Sequence, residues 1–139
     1  MKRSERITHI MSAEPVTAHE AMKLSDVRKL LADKKIHHVP VVSGRRFIGL
    51  LSATDLMRVS YGDVYSQDVR TVDALLDTMS IREVMSEDVV TAPPTATIHE
   101  VAELLANGSF HSVPIVDEAG DLVGIVTSTD VIRFLLAQY

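Results

Sequence analysis

The chain has no cysteine, no tryptophan, and only three phenylalanines and three tyrosines among 139 residues. Without cysteine there is no disulfide framework and no thiolate metal site. So few aromatics on a chain of net charge −5 make a poor phosphate-tracking surface, so no nucleic-acid partner is expected. No uncharged run approaches the roughly 20 residues that span a bilayer. The start, Met1-Lys2-Arg3-Ser4-Glu5-Arg6, leads into no apolar core of a signal peptide. The expectation is a cytoplasmic protein with no membrane partner.

What the chain does have is itself, twice. Ile7 to Arg58 recurs as Ile81 to Arg133, at an offset of 74 residues that becomes 75 after one insertion. Ile10-Met11-Ser12 returns as Val84-Met85-Ser86, and Val16-Thr17-Ala18 as Val90-Thr91-Ala92. His37-His38-Val39-Pro40-Val41-Val42 returns as His111-Ser112-Val113-Pro114-Ile115-Val116. Gly49-Leu50-Leu51-Ser52-Ala53-Thr54-Asp55 returns as Gly124-Ile125-Val126-Thr127-Ser128-Thr129-Asp130. A period this long is one α/β unit used twice, and two such units are expected to pack with pseudo-twofold symmetry and to share a core. The organisation read from this is a first copy over 1–61 with its N-terminal helical turn, a part-helical linker over 62–79, and a second copy over 80–139. Charge divides along the same line: residues 1–60 carry a balance of +5 and residues 61–139 a balance of −10. Unlike halves attract, within or between chains.

Each copy carries the same order of elements. A short helical turn ends at Met11 or Met85, the second with the capping-box signature Ser80-x-x-Glu83. An extended piece follows at Val16-Thr17 or Val90-Thr91. An amphipathic helix carries Leu24, Val27, Leu30 and Leu31, matched by Ile98, Val101, Leu104 and Leu105. Thr97-x-x-Glu100 caps the second of these and Asn107-Gly108 stops it. A hairpin then joins Val39–Val42 to Phe47–Leu51, or Val113–Val116 to Leu122–Val126, and a closing helix starts near Asp55 or Asp130. In the linker, Val69, Val72, Leu75, Leu76 and Met79 sit at helical spacing.

The sharpest chemical feature is Gly-x-x-Ser/Thr-x-x-Asp, which runs from a buried strand into a helix start in both copies. The glycine lets backbone approach a ligand closely. The hydroxyl of Ser52 or Thr127 donates and accepts, and the carboxylate of Asp55 or Asp130 suits two neighbouring hydroxyls, as on a ribose. A purely structural reading is a helix N-cap that touches no ligand, with Thr54 and Thr129 as the plainest caps. Six histidines form no recognised ligand spacing, and adjacent His37 and His38 point to opposite faces of a strand, so no metal site is expected.

In this order and twice, the Met-Ser…Val-Thr opening, the Val-Pro-Val-Val or Val-Pro-Ile-Val strand and the Gly-x-x-Ser/Thr-x-x-Asp ending resemble the CBS domain. The resemblance covers nearly the whole chain and is to a tandem pair, or Bateman module. It implies an α/β (α+β) fold of two β-α-β-β-α units, and clefts that hold adenosine derivatives such as AMP, ADP, ATP or S-adenosylmethionine. Carried over by position, Asp55 and Asp130 would hold ribose hydroxyls, and Ser52 and Thr127 would reach ribose or phosphate. Ile36, His37 and His38, and likewise Phe110, His111 and Ser112, would line the adenine. Thr17 and Thr91 would close the cleft, and Pro40 and Pro114 complete the set. No covalent cofactor is implied, and magnesium would arrive only with a polyphosphate.

Copy one offers Lys34, Lys35, His38, Arg45, Arg46 and Arg58 for a phosphate chain, where copy two has Gly108, Ser109, Ser112, Gly120 and Asp121 and keeps Arg133. The first site is therefore expected to take the nucleotide polyphosphate and the second a less charged adenosine compound. The functional expectation is a regulatory module, not an enzyme, that acts on an unidentified target protein through ligand-dependent reorientation of its two units and pairs as a homodimer. A ligand-free structural or dimerisation module is the alternative, and a nucleotide-acting enzyme a remote one.

Overall fold

The computed structural model describes residues 4–59 and 69–139, Val69 by its backbone alone. The residues before Ser4, and Ser60 to Asp68 with the first half of the linker, lie outside the described residues. A 3-10 turn at Ile7–His9 is followed by β1 (Ala18–His19), α1 (Leu24–Lys34), β2 (His38–Ser43), β3 (Arg46–Ser52) and α2 (Ala53–Val59). Then come α3 (Val69–Leu76), α4 (Ile81–Val84), α5 (Ile98–Asn107), β4 (Ser112–Val116), β5 (Leu122–Thr127) and α6 (Ser128–Ala137). The mixed α+β class is as expected. The extended piece begins directly after the Val-Thr pairs, at Ala18–His19 and as a single parallel bridge of Ala92 to Ile115.

The chain forms two compact units that are not continuous in sequence. One joins Val16–Gly44 to Ile48–Asp88; the other joins Met1–Pro15, Arg45–Phe47 and Val89–Tyr139. The opening turn of each copy thus belongs to the unit built on the other copy. Among the described residues each unit has an apolar cluster of its own.

In the first-copy unit, β1 lies parallel to β2, with Ala18 opposite Val41 and His19 opposite Val42, and β3 follows on the far side of β2. The central strand buries Val39, Pro40, Val41 and Val42 in succession, as a strand covered on both faces does. Between β2 and β3 the chain reverses at Gly44, whose φ of 63° favours glycine. Helix α1 buries Leu24, Val27 and Leu31 at the expected spacing. From α4 and its cap, Ile81 and Met85 enter the same cluster, and a fully buried side chain of that size contributes about 1.5–3 kcal/mol.

Polar contacts hold the linker helix on this unit. The N-cap of α1, Lys23, supplies no side-chain cap, and Asp77 takes its place: Ser25 donates to it from backbone N (3.1 Å) and from Oγ (2.8 Å). One turn earlier in the linker helix, Asp73 accepts from Nε (2.5 Å) and Nη2 (3.0 Å) of Arg28, and this bidentate pairing raises the Arg28 pKa. At the end of β1, Glu20 accepts from Ser43 Oγ at 2.7 Å and pairs with Arg82 of α4 at 2.7 Å, which lowers its pKa. Both pairings join residues of the basic half to residues of the acidic half.

The second-copy unit is an antiparallel β4–β5 hairpin in which Ser112 faces Thr127, Val113 faces Val126 and Pro114 faces Ile125. Pro114 has no N–H to give, and its carbonyl accepts from Ala92 at 3.1 Å. Reciprocal capping boxes at Thr97/Glu100 and Ser80/Glu83 start α5 and α4 as the sequence indicates. Helix α5 stops at Gly108, but with φ at −95° the glycine is not there for a left-handed turn. Its missing side chain leaves room for the ring of Phe110. Ile7 is fully buried here, its N–H bonded to the carbonyl of Ala96 at 2.9 Å, and the first-hairpin tip pairs in the same unit, Phe47 donating to Gly120 at 3.0 Å.

The two opening turns are seated by matched backbone bridges. Ser12 and Ile125 exchange hydrogen bonds of 2.9 and 3.1 Å, and Ser86 and Leu50 exchange bonds of 2.8 and 2.9 Å. Beside each bridge stands the glycine of the duplicated motif. A Cβ on Gly49 would lie 2.6 Å from Met85 Sδ and 2.9 Å from the Ser86 carbonyl; on Gly124 it would lie 2.5 Å from Met11 Sδ and 2.9 Å from the Ser12 carbonyl. The glycine therefore admits another stretch of the chain, which replaces the expectation of close approach to a ligand.

Two expected outcomes follow. Gly49→Ala, where the Met85 thioether can move but the Ser86 carbonyl cannot, costs about 1–3 kcal/mol, measured as a lower urea midpoint at unchanged slope. Because the native pKa of Glu20 is depressed, its contribution is complete above the ordinary glutamate value of about 4.3 and is lost as pH falls through the lower native value. The stability difference between the parent and Glu20→Gln should be full at pH 7 and shrink to nothing in strong acid; a constant difference would contradict it.

Candidate functional site

At both strand-to-helix junctions the motif folds onto its own main chain. Asp55 N donates to Ser52 Oγ at 3.0 Å while Ser52 N donates to Asp55 Oδ2 at 3.0 Å. In the second copy, Asp130 N donates to Thr127 Oγ1 at 3.2 Å and Thr127 N donates to Asp130 Oδ2 at 2.8 Å. These are capping boxes with aspartate in the third helical position, and each satisfies two orphan donors. The helices begin one residue before the threonines, so Thr54 and Thr129 stand inside the first turn, exposed, and the cap hydroxyls are those of Ser52 and Thr127.

The cap occupies only one carboxylate oxygen. Asp55 Oδ1 lies 3.6 Å from Arg58 Nη1, with the aspartate side chain 13% exposed. Among the described residues Asp130 Oδ1 takes no hydrogen bond, and Arg133, which matches Arg58, forms no ion pair with it. A carboxylate oriented by its own backbone, with a second oxygen directed elsewhere, is a fixed acceptor for a ligand hydroxyl.

Backbone bonds tie the adenine-lining stretches to these junctions. The His37 carbonyl accepts from Ala53 N at 2.9 Å, and the His111 carbonyl accepts from Ser128 N at 2.9 Å and Ser128 Oγ at 3.3 Å. Both imidazoles are exposed, and Ile36, His38 and Phe110 are half-buried. Pro40 and Pro114 are buried in their strands, Thr17 is half-buried just before β1, and Thr91 is exposed beside the Ala92 bridge. Ser112, opposite Thr127, is 2% exposed and its Oγ has no hydrogen-bond partner. A buried hydroxyl left unpaired costs about 1–3 kcal/mol until something pairs with it.

Each unit also holds a concavity. That of the second-copy unit, about 530 Å³, collects Thr91 and Phe110 together with Pro93, Ala96, Glu100 and Glu103. That of the first-copy unit, about 490 Å³, collects Ile36 and His37 with Arg28 and Lys35. Among the described residues, neither is lined by Ser52, Asp55, Thr127 or Asp130. Of the cations assigned to copy one from the sequence, Lys35 lines a concavity and Arg58 stands by Asp55. Arg45 and Arg46 belong to the second-copy unit, where Leu122 N donates to the Arg45 carbonyl at 2.9 Å. Sequence reasoning passed over Glu100 and Glu103, whose spacing reads only as a cap and a helix surface. Among the described residues no group of three acidic or histidine side chains is placed to hold a metal ion, and no helix is long and apolar enough to cross a membrane.

Comparison with known proteins agrees with this geometry. The chain is 25% identical over 132 residues to the uncharacterized protein MJ1225 of Methanocaldococcus jannaschii, a match covering 94% of this chain and 47% of that protein. To inosine-5'-monophosphate dehydrogenase of Thermoplasma acidophilum it is 30% identical over 95% of its own length but only 24% of the enzyme's. The chain thus spans about half, or a quarter, of these relatives. Among solved structures, CBSX2 of Arabidopsis thaliana, in complex with AMP, superposes with a TM-score of 0.80 at 20% identity, covering 96% of this chain and 97% of that one. The CBS domain pair of protein MJ0100, in complex with 5'-methylthioadenosine and S-adenosyl-L-methionine, gives 0.71 at 27% identity, covering 94% and 98%. The CBS domain family model matches residues 7–62 and again 81–137, and the chain belongs to that family as a tandem pair.

Proposed function

We propose that the chain is a regulatory module that binds adenosine compounds, AMP, ADP, ATP or S-adenosylmethionine, and passes their presence to a separate target protein by a ligand-dependent change in the arrangement of its two CBS units. The observation that carries this reading is the duplicated junction, where the capping box orients an aspartate and leaves Oδ1 to accept from a sugar hydroxyl. The MJ0100 pair, 27% identical, lends support through its bound nucleosides. A ligand shifts such an arrangement only by its difference in affinity for the two states, about 1–3 kcal/mol in typical coupled systems. Magnesium enters with a polyphosphate or not at all.

The two copies differ in the charge they offer. The cavity with Thr91 and Phe110 presents Glu100 and Glu103 and, among the described residues, no cation. Such a surface favours an uncharged or cationic nucleoside over a phosphate chain. Arg58 beside Asp55 favours the polyphosphate at the first motif. Pairing into a homodimer is supported by Met57, Ile132 and Leu136, apolar side chains 70%, 54% and 67% exposed on the closing helices. A ligand-free structural module is the second reading, favoured by the cap that engages Oδ2 in both copies.

Calorimetric titration of MgATP, ADP, AMP, adenosine and S-adenosylmethionine separates these readings. At least one compound should bind. Asp55→Ala should weaken MgATP at least tenfold, and Asp130→Ala should weaken it less. A folded chain that binds none of them establishes the structural module; equal losses, or a larger one for Asp130→Ala, overturn the assignment of polyphosphate to the first motif. The melting temperature of each unliganded variant reads the loss of the cap separately, about 1 kcal/mol. In sedimentation velocity the parent should run as a dimer and Met57→Lys combined with Ile132→Lys as a monomer.

A further inference from the structure

We propose that the open hollow bordered by α1, α2 and α3 in the first-copy unit is a second ligand site, separate from the adenosine motif, that takes a small amphiphilic carboxylate. Its volume of about 490 Å³ lies within the range of small-molecule pockets. The walls are apolar, formed by Leu31, Ile36, Leu56, Val72, Leu76 and Met57, the last also on the face proposed for dimer pairing. Three basic side chains stand among them: Arg28, Lys35 and His37. The charge of Arg28 is already taken up by Asp73. Lys35 and His37 form no ion pair among the described residues, and both are exposed. An apolar chamber with an uncommitted ammonium at its mouth matches an apolar tail that ends in an anion. It does not match a polyphosphate, since aliphatic walls cannot replace the hydration of several charged oxygens.

Two features keep the hollow formed. Lys35 caps α1 in the left-handed region at φ 55°, which fixes where its side chain leaves the backbone. Helix α3 packs Leu76 into the same cluster as Leu24, Val27 and Leu31 of α1, and Asp73 on Arg28 and Asp77 on Ser25 add hydrogen bonds that hold it there. Of the residues assigned to the adenosine site, Ile36, His37 and the phosphate-chain candidate Lys35 touch this hollow; Thr17, His38, Pro40, Ser52 and Asp55 do not. An occupant would join α1 and α2 to the linker helix, and so add a second input to the stretch of chain between the two copies.

The test is calorimetric titration of the full chain with decanoate below its micellar concentration, with octyl glucoside as the neutral amphiphile. One decanoate per chain should bind, octyl glucoside at least tenfold more weakly. Lys35→Glu should weaken decanoate at least fivefold. Ala32→Trp, an exposed α1 position on the rim, should abolish binding by filling the hollow. Ala32→Trp should keep the parent's melting temperature and its response to adenosine compounds, so this site stands or falls apart from the adenosine reading. Absence of decanoate binding, equal binding of octyl glucoside, or binding unaffected by both variants overturns the proposal. So does saturation at one decanoate per two chains with Ala32→Trp dissociating a dimer, which would give the hollow to a second copy.

Discussion

Two pairs of backbone hydrogen bonds, Ser12 with Ile125 and Ser86 with Leu50, govern the architecture. Each seats the opening turn of one copy on a strand from the other, and each brings a buried side chain with it, Ile7 in one unit and Ile81 in the other. A copy near fifty residues cannot bury much apolar surface by itself. The exchanged turn supplies the missing part of the core, and a glycine at the point of closest approach is the condition for it. Gly49 and Gly124 stand three residues before Ser52 and Thr127, so the same contact that completes a unit also sets the strand end from which the polar motif departs.

At that motif, structural and binding roles share one side chain. The aspartate carboxylate is held by its own backbone through Oδ2, with the neighbouring hydroxyl closing the cap. Such an acceptor is ordered before any ligand arrives and loses little rotamer freedom on binding. The electrostatic difference between copies comes from the surroundings: an arginine by one carboxylate, and two glutamates in the cavity beside the other copy's threonine and phenylalanine.

The linker helix follows a different logic. Its apolar residues enter the first-copy cluster, and Asp73 and Asp77, one turn apart, add directional contacts to Arg28 and Ser25. The attraction of the basic half for the acidic half, visible as a charge imbalance, takes its local form in Arg28 with Asp73, while Glu20 with Arg82 pairs the minority charges of the two halves.

Local patterns were sufficient for the elements, because their causes lie within a few residues. The stripe Leu24, Val27, Leu31 and the capping boxes at Ser80 and Thr97 act at three- and four-residue range, and a duplicated motif states each twice. The family could also be read from the sequence, since its marks are side chains at fixed order and spacing. Contacts across long separations were not legible. Nothing in Ile7-Thr8-His9-Ile10-Met11 says which copy's core it fills, because the two cores are alike in composition. Gly49 and Gly124 carry no local mark of the distant turn whose Met and Ser pack against them. Asp77 capping α1 across 52 residues has no local signature either. Sequence determined the repeated unit and its polar motif; tertiary structure alone decided which pieces close each unit, because near-identical local patterns leave the partner open and only three-dimensional packing can choose.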